Sequence, residues 1–455
     1  MKKFLDTFKH IWAIEELRKR ITYTLMLLVI YRLGSYIILP GIDAEMLEGL
    51  RGQTKNNILG LINTFAGGAF ARGAIFALGI MPYISASIFM QLVSIAIPSF
   101  QRIQKEGEEG RRKINQYTRI LTIIFTAVQA YAYLNNIMNT PGNQAALLFN
   151  YGDMLSKSMF ILTNIFLLTA GTMFTMWMGE RITDRGLGNG ISLIIMVGII
   201  ARMPAAIVGE FLFRLTKGGP ILFIVELVIW FMVVLFVIML TQGTRKISVN
   251  YAKRVIGNRQ YGGARQYLPI KILAAGVMPI IFAQALLFLP ATIGSFYTET
   301  TAPGWLLSLM NPYSFGHNAF LVFLIIVFTY FYTVIIFNPV QMADDMKRNN
   351  GFIPGVKPGK QTANFIDNVI SKITLPGAIF ISIIAILPVF AVKGNVNQEF
   401  AQFFGGTSLL ILVGVVLDTL QQIESYLLMR KYDGFMSGGG RLKGRMTNQY
   451  QQVDI

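Results

Sequence analysis

The sequence predicts an all-α polytopic membrane protein, with ten transmembrane helices in two inverted halves of five and irregular backbone lining an interior path. Three observations predict it. Hydrophobic residues make up 53% of the chain against 14% charged, at a mean hydropathy of +0.53, a composition outside the ordinary globular range. Apolar runs long enough for helices of about 20 residues recur along the whole chain. Basic residues gather in alternate connections, as expected where Lys and Arg are retained on the cytoplasmic side.

The runs lie near 21–40, 75–97, 120–138, 154–178, 190–208, 220–241, 272–291, 318–338, 373–392 and 405–428. A basic segment, 1–20, precedes the first. It lacks the small-residue cleavage site that follows the apolar core of a signal peptide, so no removable leader is expected and the mature chain is expected to start at Met1. Between the first and second runs, the glycine-broken stretch LINTFAGGAFARG (Leu61–Gly73) leads into FALGIMPYISASIFMQL (Phe76–Leu92), which carries Pro82, Ser85, Ser87 and Gln91. Hydrocarbon offers unpaired backbone groups no water, so irregular backbone at membrane depth belongs inside protein or beside a water-filled cavity.

Charge sets the orientation. Of the 40 lysines and arginines, only Arg32, Arg51, Lys55, Arg72, Lys157, Arg202, Arg214, Lys217 and Lys393 fall within spans or on the far side when the N-terminus is placed in the cytoplasm. Both termini are then cytoplasmic. Ten spans divide at GEFLFRLTKGGP (Gly209–Pro220), giving an N-terminal half at 21–208, a hinge loop at 209–219 and a C-terminal half at 220–428. Five is odd, so the second half enters the membrane from the opposite side, the arrangement of inverted repeats whose working site lies between halves. The symmetry rests on topology, since the halves show no residue-level similarity. The tail, 429–455, contains SGGGRLKGRMTNQYQQVDI, whose glycine-rich polar composition predicts no fixed structure.

Several chemistries are excluded. The chain has no cysteine, hence no disulfide, thiolate nucleophile or Cys-ligated metal. Its two histidines, His10 and His317, lie at opposite ends without metal-ligand spacing and read as isolated surface residues. No GxxxxGK[ST] loop is present, and the GLGNG run (Gly186–Gly190) borders a span rather than following a soluble strand, so no nucleotide site is expected. There is no GxSxG, and the paired Asp344 and Asp345 lie in a loop, so the chain reads as a non-enzyme. A secondary transporter of a small solute is the alternative. It needs ionisable groups near the midplane, and Arg32, Glu226 and Asp418 are scattered over three spans with no obvious partner, as snorkelling or interhelical residues would be.

Ile80 and Ile84 share a helix face, as do Ile195 and Ile199. Such pairs point either at lipid and neighbouring helices, the commoner case, or at a shared axis.

Six motifs together resemble one family along nearly the whole chain: LGIMPYISASI (Leu78–Ile88), EGEEGRRKINQYTR (Glu106–Arg119), GERITDRGLGNGIS (Gly179–Ser192), VNYAKR (Val249–Arg254), FNPVQMADDMKRNNGFIPGVKPGKQT (Phe337–Thr362) and FGGTSLLI (Phe404–Ile411). They are similar to the SecY family, the channel subunit of the bacterial Sec protein-translocation machinery in the inner membrane. The resemblance implies a central pore closed by a ring of Ile80, Ile84, Ile195, Ile199, Ile281 in GVMPIIF and Ile411 in FGGTSLLI. An apolar constriction gates by dewetting and offers a passing chain no sticky polar partner. It implies a re-entrant plug helix at 58–72, including Ile58, Phe65, Gly67, Gly68, Phe70 and Arg72, in which glycines weaken the helix and permit hinging. It also implies a lateral gate to membrane lipids between the second and seventh spans, with Ser85, Ser87 and Gln91 facing Gln284 or its neighbours; ordinary interhelical bonding explains the same polarity.

No cofactor is implied. The implied partners are SecE as a clamp across both halves, SecG, the motor ATPase SecA, the ribosome and precursor polypeptides. Arg254, Arg259, Lys347, Arg348 and Lys357 on two long basic loops would meet the motor or ribosomal RNA, although topology alone also accounts for cytoplasmic cations. The chain departs from the family at Lys357, where arginine is usual, and at the GNRQ tip (Gly257–Gln260), which lacks adjacent arginines. Lysine keeps the charge but not the bidentate fork.

Overall fold

Prolines set where several of the long helices begin and bend. The computed structural model describes residues 12, 14–43, 47, 59–139, 147, 154–217, 219–251, 254–256, 259–261, 265–273, 276–294 and 303–437. Its helices are α1 (Glu15–Gly34), α2 (Leu59–Phe65), α3 (Met81–Ala96), α4 (Pro98–Lys105), α5 (Glu108–Asn139), α6 (Met154–Arg185), α7 (Gly190–Thr216) and α8 (Pro220–Gln242). After these come strands β1 (Thr244–Tyr251), β2 (Arg254–Ile256), β3 (Arg259–Tyr261) and β4 (Arg265–Lys271), then α9 (Met278–Gly294), α10 (Gly304–Met310), α11 (Phe315–Ile336), α12 (Pro339–Arg348), β5 (Gly351–Phe352), α13 (Lys360–Lys393), α14 (Gln398–Ala401) and α15 (Gly406–Ser437).

Each expected run contains a helix, with informative shifts. Among the described residues, seven helices are long and apolar enough to cross a membrane, and an eighth crossing follows if the bent pair α3 and α4 counts as one. Two others fall short on composition or length: α1 carries charges in its first turns, and α9 has 17 residues. The run at 75–97 becomes helical only at Met81, because Pro82 sits in the first turn, where its missing N–H costs nothing, whereas a helix begun earlier would drive its ring into a preceding carbonyl. Pro98 then forces Ile97 into an extended conformation, φ −107° and ψ 117°, and the chain turns through 105° into α4. Helix α15 continues through Ser437 into the first residues of the tail; residues 438–455, which hold nearly all of the glycine-rich segment, lie outside the described residues.

The all-α expectation is corrected by two small sheets. Strand β1 is central in an antiparallel sheet of order β4-β1-β5, and β2 pairs with β3 as a hairpin. The period-2 alternation of Ile247 and Val249 places both against Ile270, Met346, Ile353, Ile366 and Ile370 in a separate apolar cluster. This cluster packs the sheet on α12 and α13, and β5 joins the two long basic loops through Asn250↔Phe352 and Tyr251↔Gly351.

The first half packs α3 on α5, α5 on α6, and α6 on α1 and α7; the second packs α9 on α11, α11 on α13, and α13 on α15. Between halves, α3 meets α9 and α7 meets α15. The largest apolar cluster lies across these contacts, whereas the lipid-compatible surface includes most of α8, with Ile221, Ile224, Val228 and Met232 exposed. His317 is buried rather than at the surface, its Nδ1 2.7 Å from the Leu309 carbonyl; His10 lies outside the described residues.

Candidate functional site

Four helices bring the six isoleucines into one apolar cluster. Ile80 caps α3 and accepts from the Ile84 amide at 3.1 Å; Ile195 and Ile199 lie on α7, Ile281 on α9 and Ile411 on α15. All six belong to the largest hydrophobic cluster, from 0% exposed at Ile199 to 6% at Ile281.

Helix α2 and the turns after it lie against α7. A methyl group on Gly198, one residue before Ile199, would come 2.2 Å from the Phe65 carbonyl, so glycine is what allows the end of α2 to touch this helix. Phe65 joins the main cluster, and Phe70 a second one with Tyr133, whose hydroxyl donates to the Phe70 carbonyl at 2.7 Å. Gly67 and Gly68 have φ of 63° and 86°, values that favour glycine. The Gly67 carbonyl accepts from Arg32 Nη1 at 2.8 Å and Arg72 Nη2 at 2.9 Å, while Arg72 Nε reaches the Gly68 carbonyl at 3.1 Å. Both guanidinium groups lie over the Tyr36 ring. From the other half, Gln402 Oε1 accepts from Thr64 Oγ1 at 2.8 Å, and Arg202 stands between Thr64 and Glu399. Ile58 lies outside the described residues.

The polar residues of the second run take other partners than Gln284. Ser85 donates to the Met81 carbonyl, and Gln91 donates to Ser87 and accepts from the Tyr332 hydroxyl on α11 at 2.5 Å. Gln284 instead donates to Thr407 on α15. Helices α3 and α9 nevertheless pack together.

Two of the midplane candidates, Arg32 and Glu226, are partnered, which the sequence did not reveal. Arg214 bonds both Glu210, at 2.8 Å, and Glu226, and its Nη2 also reaches the Asn395 carbonyl at 3.0 Å; Glu210 in turn accepts from the Asn397 amide at 2.8 Å. Arg32 bonds the Gly67 carbonyl and the Tyr36 hydroxyl. Asp418 borders a cavity of about 210 Å³ shared with Lys271, Asn189 and Ile281. Arg32 and Glu226 are tied to structural partners, Asp418 only borders this cavity, and the three do not form a cluster of exchangeable carboxylates.

Arg254 and Arg259 lie on the β2–β3 hairpin. Lys347 and Arg348 end α12 and are exposed, as is Lys357 in the turn before α13.

Sequence reasoning missed Tyr36, Thr64, Gly198, Tyr332, Gln402 and Thr407. Two of these carried a readable signal: glycine inside an apolar helical pattern marks close backbone approach, and a polar residue in an apolar run needs a partner.

Comparison with known proteins follows from this geometry. The SecY family model matches residues 74–420. Protein translocase subunit SecY of Escherichia coli (strain K12) is 41% identical over 438 residues, 95% of this chain and 96% of that protein. The same subunit of Streptomyces scabiei is 40% identical over 445 residues, 95% and 100% of the two chains. Among solved structures, one described as "The structure of a protein conducting channel" superposes with a TM-score of 0.63 at 20% identity, covering 90% of this chain and 92% of that one. A second, "Sec61 in the Canine ribosome-channel complex from the endoplasmic reticulum", gives a TM-score of 0.58 at 19% identity, covering 90% and 92%. A multi-pass helical chain with this match along most of its length belongs to the SecY family.

Proposed function

We propose that this chain is a protein-conducting channel. It passes unfolded secretory polypeptides across the bacterial inner membrane and releases hydrophobic segments sideways into lipid. The observation that carries the reading is membership of the SecY family along most of the chain, supported by the burial of Ile80, Ile84, Ile195, Ile199, Ile281 and Ile411, from four helices, within the main apolar core. Six aliphatic side chains make a collar that dewets when empty and deforms around a chain when full.

In this reading the ten runs are ten spans in two inverted halves, 21–208 and 220–428, joined at 209–219, with both termini cytoplasmic. The segment 58–72 is the plug. Its support is the contact of α2 with α7 at Gly198 and the polar ties of Thr64 and Gly67 to Gln402, Arg32 and Arg72, which hold the element against the collar helices.

The lateral gate lies between α3 and α9. Beside it, Gln91 on α3 accepts from Tyr332 on α11, and such a bond in a membrane contributes about 0.6–2 kcal/mol, enough to hold a gate and little enough to release it. Sorting follows from partitioning: each central Leu gains roughly 0.3–0.6 kcal/mol in lipid and each Lys or Asp costs about 2.5–3.5.

The motor is external. The sheet joins the two basic loops, and the loops carry Arg254 and Arg259 on the β2–β3 hairpin, Lys347 and Arg348 at the end of α12 and Lys357 in the turn before α13, charge suited to SecA or ribosomal RNA, with SecE and SecG as accessory subunits. Reconstitution in proteoliposomes tests the reading: precursor uptake is expected only with a motor ATPase present. Uptake of a small solute with no motor or precursor, and no uptake of precursor with one, would favour a transporter instead.

A further inference from the structure

Two antiparallel helices, α9 and α15, meet along three rungs at matching intervals. At one end a methyl group on Gly414 would lie 2.1 Å from Val277 Cγ2, so the helices are as close as a glycine permits. At the other end Gln284 Nε2 donates to Thr407 Oγ1. Val277, which precedes α9 and accepts from the Ile281 amide at 3.3 Å, Ile281 and Gln284 fall at i, i+4 and i+7, as do Thr407, Ile411 and Gly414 on α15, so each trio lines up along one face. Ile281 and Ile411 therefore occupy the middle rung.

The surroundings leave this contact little other support. A cavity of about 210 Å³ borders Val277, Ile281 and Gly414, and a second of about 60 Å³ borders Gln284 and Thr407. Gln284 is 3% exposed, and its Oε1 has no hydrogen-bond partner among the described residues. Among the described residues, the Thr407 bond is thus the only side-chain tie on its amide.

We propose that Gln284, Thr407 and Gly414 are positioning residues for the channel seal: the close approach at Gly414 and the Gln284–Thr407 bond clamp the helix pair and hold Ile281 and Ile411 in the collar. The inference rests on the collar reading above. Neither outer rung touches a passing chain. Each acts by setting the separation of the two helices at the isoleucines, and losing either rung lets the pair splay and the collar leak.

The test is ion conductance of the idle, full-length channel in planar bilayers. Thr407→Val keeps the side-chain shape and removes the hydroxyl, so idle conductance should rise by about threefold to thirtyfold, the population shift of one membrane hydrogen bond. Thr407→Ser keeps a hydroxyl and should seal like the parent. Gln284→Leu combined with Thr407→Val should leak no more than either change alone, because both remove one bond.

Gly414→Ala should leak too. Adding Val277→Ala, which removes the opposing Cγ2, should restore the seal, a rescue that a merely destabilising glycine change would not show. The proposal is overturned if Thr407→Val seals like the parent, if the Gln284 and Thr407 effects add, or if Val277→Ala fails to rescue Gly414→Ala.

A stalled precursor crosslinked through cysteines introduced at Ile281 and Ile411 separates the two claims. Crosslinking with unchanged conductance in the variants sinks the clamp and leaves the collar standing, whereas no crosslinking at either position sinks the collar itself.

Discussion

Arg214 stands between Glu210 and Glu226 with almost no water around any of the three, and the backbone of Asn395 and Asn397 completes the set. Two carboxylates share one cation, so its removal leaves two buried charges without compensation. Arg214→Met should therefore destabilise the protein by about 3–5 kcal/mol, read as a lower melting temperature in detergent, and unchanged melting would contradict this account. Glu226 alone suggested an unpartnered charge because its partner is reached only when α7 and α8 fold back on each other, and Asn395 enters from the far end of α13. The isoleucines divide in the same way. Ile80 with Ile84, and Ile195 with Ile199, were legible as pairs from helical spacing. Ile281 and Ile411 stand alone on their helices, so only the family resemblance pointed to them. Thr64 and Gln402 lie 338 positions apart, and no local pattern carries a contact of that kind.

At the scale of elements, α2 depends on one glycine of α7. Gly198→Ala would push a methyl group into the Phe65 carbonyl at 2.2 Å, backbone that cannot move aside cheaply. It should displace α2 and raise idle ion conductance, while Gly209→Ala, with nothing within 4 Å, should not; equal conductance in both variants would remove α2 from the seal. The positions of the helices were largely readable from hydropathy, and their ends were readable from proline: Pro82 and Pro98 explain why α3 is short and bent. The sheet was overlooked although TRKISVNY alternates polar and apolar residues, because a basic loop between spans was read for charge alone. That sheet gives the cationic loops a rigid base. Replacing Arg254 and Arg259 with Glu should weaken ribosome binding and flatten its dependence on log salt by about 0.7–0.9 per lost phosphate contact. An unchanged slope would mean that these two residues serve orientation only.

Across the whole molecule, helices that begin before residue 209 pack on helices that begin after residue 219 through apolar surface, with polar ties crossing at Gln91–Tyr332 and Thr64–Gln402. On the proposed reading the arrangement suits a channel closed by default and opened by a substrate, since each tie is weak enough to break and an apolar collar would re-form without chemistry. The absence of cysteine makes the central claim directly measurable. Single cysteines at Ile84, Ile195, Ile281 and Ile411, and at Met232, which is 62% exposed on α8, would each be tested for crosslinking to a precursor stalled in transit. The account predicts crosslinks at the four collar positions and none at Met232; crosslinks confined to Met232, or absent from the collar, would contradict it.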